Sequence, residues 1–226
     1  RYFDRITRPE QIISSIQQAI QVMLDPADCG PACISLSQDV QGEVFEYPED
    51  FFKERVHVIR RPKPDDYQIK EAAEFIKKSK KPLIISGGGV FYSDATDELS
   101  SFASKHNIPV TQTVMGYSTM KKDHSHYLGA IGGLGGRAAN NLSKETDMAI
   151  AIGTKLADFT TGSWTNFENP DFKLVSINAA RFDANKHMAQ AIVGDAKISL
   201  MELSQALGNW KAGDNWYKKS RIELKN

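Results

Sequence analysis

Lys81-Pro-Leu-Ile-Ile-Ser-Gly-Gly-Gly-Val90 is the stretch on which the reading of the whole chain turns. Leu83, Ile84 and Ile85 form an apolar run too short for a helix and rich in β-branched side chains, the composition of a strand buried on both faces. Gly87, Gly88 and Gly89 then allow a sharp turn, with φ > 0 open to each because no Cβ interferes. Asp94 reads as the N-cap of a helix over 94–105 that carries Leu99, Phe102 and Ala103 on one side. Strand, glycine turn, helix is the repeating unit of parallel α/β sheets, and such sheets bind ligands at the turn. Without the full Gly-x-Gly-x-x-Gly spacing, however, a purely structural turn fits as well as a phosphate cradle.

Outward from this unit the pattern repeats. Ile69, Ala72, Ala73 and Ile76 mark a helix that starts near Asp66 and leads into the first strand. Ile108–Val114 is a second strand, with Pro109 near its start, where a lost donor matters least. A loop with Gly116, His124, His126 and Gly129 follows, then Gly132-Gly-Leu-Gly-Gly136 and a short helix over Ala138, Ala139 and Leu142. Met148–Ile152 is the third strand, closed by Gly153; Leu174–Ile177 is the fourth and Ala191–Val193 the fifth. Asp195 caps a helix with Ile198, Met201 and Leu207. Five strands alternating with helices predict an α/β fold, a doubly wound, Rossmann-like parallel sheet. Right-handed crossovers would set the turns after Ile85, Val114, Ile152 and Ile177 along one edge.

The first sixty residues look different. Thr7 with Glu10 suggests a capping box, and Ile12, Ile13, Ile16, Ala19, Ile20, Met23 and Leu24 recur at helical spacing until Pro26. Gly30-Pro31 leads into a strand over Ala32–Leu36. One helix and one strand cannot bury an apolar face alone, so residues 1–45 are expected to be the tail of a neighbouring domain. Residues 46–65, proline-rich and charged, read as a linker, 66–209 as the central domain, and 210–226 as the start of a further linker. The chain opens on Arg1 and closes in a helical pattern, which is the expectation for a piece of a longer protein.

Bulk properties narrow the class. Lys plus Arg equals Asp plus Glu at 28 each, so no charge excess points to nucleic acid or a membrane surface. Two cysteines, Cys29 and Cys33, suit a reduced, cytoplasmic protein better than a disulfide framework, and they lack the companions of a zinc site. His124 and His126 have no third ligand at suitable spacing and read as loop residues. The run Lys77–Lys81 reads as a solvated helix end that complements the dipole. Trp164 and Phe167 either pack a loop or meet another domain.

Several motifs then carry a resemblance. Lys81–Val90, Ile108-Pro-Val110, Thr113-Val-Met-Gly116, Tyr127-Leu-Gly129, Ala138-Ala-Asn140, Asp147–Thr154 and Val193-Gly-Asp-Ala196 resemble, in order and spacing, the central domain of thiamine-diphosphate-dependent enzymes of the acetolactate synthase type. Arg8-Pro-Glu-Gln11, Gly30-Pro31 and Gln38–Gln41 are similar to the end of that family's pyrimidine-binding domain. Asp25–Cys33, Leu36–Glu43 and the Trp210…Trp216 tail look most like its subfamily of trihydroxycyclohexanedione hydrolases, which open a cyclic diketone in myo-inositol catabolism. The resemblance implies thiamine diphosphate and Mg²⁺ in the full-length enzyme, and a homo-oligomer is expected. The family's cofactor-activating glutamate and its Gly-Asp-Gly magnesium motif are not among these residues, so no catalytic residue and no metal ligand is assigned here.

Some relatives hold FAD or an adenine nucleotide at the glycine-rich edge. The residues matching that place are Gly88, Gly89, Gly132, Gly133, Gly135, Gly153, Lys155 and Asn178. In FAD-binding relatives the third turn carries an arginine and acids, and the fourth strand ends in aspartate. Here Lys155, Ala157 and Asn178 stand instead, and Lys does not reproduce the planar fork of Arg. A vestigial pocket without flavin is therefore expected. Alternatives are an acetolactate synthase-like carboligase or decarboxylase, and an adenine-nucleotide-binding regulatory module. A sirtuin-type deacetylase would need a four-cysteine zinc site, which two cysteines cannot build.

Overall fold

In the computed structural model, which describes residues 1–225, the chain divides into two compact units, Arg1–Arg60 and Arg61–Asn226. The first is a βαβ unit: strand β1 (Tyr2–Ile6), helix α1 (Ile12–Leu24) and strand β2 (Ala32–Leu36), with β1 and β2 parallel. α1 and β2 are evident from the sequence; β1 is not. β1 carries Asp4 and Arg5 at its centre, which hides the alternation that ends in buried Ile6. Asp4 is placed there by partners, since its carboxylate accepts from the Ser15 hydroxyl and the Arg5 amide. The expected Thr7–Glu10 cap is shifted by one residue: Gln11 Oε1 accepts from the Thr7 and Arg8 amides at 2.8 and 3.1 Å. Residues 40–52, which span the end of the expected domain tail and the start of the stretch read as a linker, carry two 3-10 turns and an aromatic cluster in which Tyr47 and Phe51 stack at 5.6 Å.

The second unit opens with helix α2 (Asp66–Ile76) and strand β3 (Pro82–Ser86), followed by helices α3 (Gly88–Tyr92) and α4 (Thr96–His106). Strands β4 (Val110–Gln112) and β5 (Tyr127–Ala130) precede helix α5 (Arg137–Glu145) and strand β6 (Met148–Ile152). Then come α6 (Asp158–Thr161), β7 (Lys173–Asn178), α7 (Arg181–Ala184), β8 (Gln190–Val193), α8 (Ala196–Leu207) and α9 (Asp214–Lys225). The sheet is six-stranded and all parallel, in the order β5-β4-β3-β6-β7-β8. One strand more than expected is present: β5 is short, contains Gly129 at φ +92°, and pairs with β4 across a register break.

Strand periodicity splits the core between the two faces of the sheet. Ile84, Ile150, Ile152, Val175 and Ile177 point to one face, where they join apolar residues of α2, α4 and α8. Ile85, Ala149, Ala151 and Leu174 point to the other, with Ala139 of α5. Leu83 packs beside Leu128, Leu142 and Trp216, and the Trp216 indole donates to Pro82 O at 2.8 Å. Each fully buried Leu or Ile contributes about 1.5–3 kcal/mol over its exposed state, so the central strands anchor this unit. Residues 214–225, within the tail expected to begin a linker, are helical and packed through Trp216.

The helix expected over 94–105 is present as α4, and a short helix not expected from the sequence, α3, precedes it. α3 begins within the glycine run itself, and Asp94 sits between α3 and α4 at φ +49° with its carboxylate on Arg61 at 2.7 Å. Buried Ala95, not Asp94, precedes α4.

Candidate functional site

Because all six strands are parallel, their C-terminal ends lie along one edge, and every glycine-rich turn opens there. The switch point of the sheet falls between β3 and β6, since the chain moves outward from β3 through β4 to β5 and then crosses back to β6. A ligand crevice is expected at this position in open α/β sheets. In this protein the crevice is sealed by backbone. Gly89 N donates to Gly153 O at 2.9 Å, and Gly87 N donates to Ile152 O at 2.8 Å. A Cβ on Gly89 would lie 2.6 Å from Gly153 Cα. The triple glycine thus serves close approach: neither Gly87, Gly88 nor Gly89 has a positive φ, contrary to the expected turn, and Gly153 is the residue at φ +60°.

The second glycine run is stitched to a different element. Gly133 N donates to Phe159 O, Gly135 N to Gly132 O and Gly136 N to Ala130 O, at 2.8–2.9 Å. The Asn140 side chain accepts from Gly132 N at 2.9 Å and donates to Gly132 O at 3.1 Å. Gly132, at φ +99°, lies so close to α6 that a Cβ would meet Thr160 Cα at 2.8 Å. The amides that would cradle a phosphate are therefore engaged within the protein at Gly87, Gly89, Gly132, Gly133, Gly135 and Gly153.

Lys155 and Asn178 come together in a third cluster. Asn178 Nδ2 donates to Thr154 O at 3.2 Å and its Oδ1 accepts from Ala180 N at 2.9 Å, so this side chain is committed to tying two turns. Lys155 Nζ lies 3.9 Å from Asp183, whose other oxygen takes Lys186 at 2.5 Å. Asp183 was not singled out from the sequence. It sits on α7, beyond the strand end where a carboxylate is looked for, and only the fold brings it back over Lys155. Beneath the edge, Ser86, Gln112 and Thr119 form a buried network: Ser86 Oγ to Thr119 Oγ1 at 2.8 Å and Gln112 Nε2 to Thr119 Oγ1 at 3.0 Å. Each has its partners, as buried polar groups require.

The remaining candidates are structural. His126 Nε2 bonds Asn107 Oδ1 at 3.2 Å and its ring packs at a tilt against Tyr217 at 4.6 Å, while His124 meets Ser104 at 3.3 Å. Burial, with His124 and Arg221 nearby, pushes the His126 imidazole down to about 4. Trp164 packs Phe167 at 5.5 Å and His187 at 4.4 Å. Cys29 and Cys33 are free and exposed. Among the described residues no three His, Cys, Asp or Glu side chains converge as metal ligands. Among them, too, no helix is long and apolar enough to cross a membrane.

The chain belongs to the family described as thiamine pyrophosphate enzyme, central domain, which matches residues 69–203. It is 46% identical over 226 residues to 3D-(3,5/4)-trihydroxycyclohexane-1,2-dione hydrolase of Clostridium botulinum strain Alaska E43, covering 100% of this chain and 34% of the relative. The protein of the same description from Bacillus subtilis strain 168 is 45% identical over 212 residues, 94% of this chain and 33% of the relative. The chain thus spans about a third of the length of these curated relatives. A crystal structure of a protein from Mycobacterium smegmatis shares the fold at a TM-score of 0.72 and 21% identity, covering 92% of this chain and 40% of that one.

Proposed function

We propose that this chain is the central portion of a thiamine-diphosphate-dependent hydrolase that opens the ring of 3D-(3,5/4)-trihydroxycyclohexane-1,2-dione by cleaving a C–C bond. The observation that carries this reading is the 46% identity running through all 226 residues to a relative of that description. Residues 1–45 would close the pyrimidine-binding domain and 66–209 form the central domain. The motifs that activate the cofactor and hold Mg²⁺ would lie in the other two thirds of a cytoplasmic homo-oligomer. Thiamine diphosphate, bound there, would act as the electron sink for the cleavage. The part played by these residues is to hold a rigid parallel sheet, with the engaged glycine amides and Asn178 excluding a nucleotide from its edge.

The full-length protein of the same reading frame tests the proposal. Supplied with Mg²⁺ and thiamine diphosphate, it is expected to open the cyclic dione and to form no acetolactate from pyruvate. The reverse preference would favour the carboligase reading. Flavin absorbance near one equivalent per chain would contradict the exclusion of a nucleotide.

A further inference from the structure

We infer that the C-terminal edge of the sheet is an interface within the full-length protein, covered by the polypeptide that follows α9. The inference rests on the proposed reading that the chain is part of a longer hydrolase. Met115, Tyr117, Leu134, Phe159 and Phe182 hang from the segments that leave β4, β5, β6 and β7, and each is 56–79% exposed. Large apolar side chains gathered on one edge mark a surface that something covers. A small ligand is a poor occupant, because the crevice between Gly89 and Gly153 is sealed and Asn178 is committed to Thr154 and Ala180.

The path of the last helix names the occupant. At its start Trp216 bonds Pro82, at the N-terminal end of β3. Lys219 then meets Glu145 at 2.5 Å, and Glu223 accepts from Asn141 at 3.1 Å. Advancing along α9 therefore retreats along α5, so the two helices are antiparallel. The next turn is directed at the start of α5, beside Gly136 and the loop that holds Leu134. α9 delivers the chain to the apolar edge. The C. botulinum relative matches throughout these residues, yet they amount to 34% of its length, so ample polypeptide remains to cover that edge.

Hydroxyl-radical footprinting of the full-length protein and of the 226-residue chain tests this. Met115, Tyr117 and Phe159 are expected to oxidise several-fold more slowly in the full-length protein. Met201, exposed on α8 away from the edge, should oxidise equally in both, and buried Met148 should stay protected in both, reporting an intact fold. Equal oxidation of the edge residues in the two proteins would overturn the inference. So would protection that appears in the 226-residue chain on raising its concentration, which would make a second copy the occupant, or on adding FAD or ADP, which would make it a nucleotide. Edge protection in a full-length protein that fails to open the dione would leave the interface standing and remove the functional reading instead.

Discussion

Gly153 shows how a single backbone position holds the edge together. It combines φ +60° with a backbone approach so close that an added Cβ would lie 2.5 Å from Gly89 Cα, which cannot move aside as a flexible side chain would. Gly153→Ala is therefore expected to destabilise the second unit by about 2–4 kcal/mol, from left-handed strain and overpacking together. Gly213→Ala, with nothing within 4 Å of its Cβ, should cost at most about 1 kcal/mol. Urea midpoints at constant m-value would separate the two, and equal shifts would contradict the sealed crevice. His126 supports a second expectation at this scale. Its folded-state pKa, about 4, lies below the ordinary 6.5, so the unfolded chain binds the extra proton between those values. Its contribution is then complete above pH 6.5 and lost as the pH falls toward 4, a change on the order of 3 kcal/mol. Burial moves His106 and His187 in the same direction. Stability measured from pH 4 to 6.5 should rise less steeply in His126→Phe, which keeps a ring against Tyr217; an unchanged slope would show that His126 is not the group responsible.

At the scale of elements, α1 is the weak point. It buries Ser15 and Ala19 but leaves Ile16 and Met23 exposed, whereas all five residues of β6 are buried. Amide exchange over 12–24 should therefore be much faster than over 148–152, because local opening of α1 exposes little that is not already wet. Matching protection in the two segments would contradict this. The same contrast explains what the sequence made legible. β3, β6 and β7 announce themselves because continuous apolar runs have few other uses. β5 and β1 do not: Tyr127-Leu-Gly-Ala130 is four residues with a left-handed glycine, and β1 hides its period behind Asp4 and Arg5. Both are strands chiefly because a partner strand lies alongside, information that no local window contains. The early start of α3 within the glycines has the same origin, a contact with Gly153 far along the chain.

For the whole molecule, the fold sets the candidate residues in the turns that follow β3, β5 and β6 and at the end of β7, along the C-terminal edge of the sheet. Sequence reasoning could not show which amides were free. The hydrogen bonds that engage Gly132, Gly133 and Gly135 run to Asn140, Phe159 and within the loop itself, and the two that hold Asn178 run to neighbouring turns. Asp183 was invisible for a related reason, since its relation to Lys155 exists only after α7 folds back over the strand ends. The resulting account is of a scaffold: a sealed sheet, structural histidines, and no converging metal ligands among the described residues. Its central claim, which rests on the proposed function, is that the ring opening requires residues outside this chain. The most direct measurement is the rate at which the purified 226-residue chain, with Mg²⁺ and thiamine diphosphate, opens the cyclic dione. No turnover above the protein-free control is predicted, and thiamine-dependent ring opening by this chain alone would contradict the account.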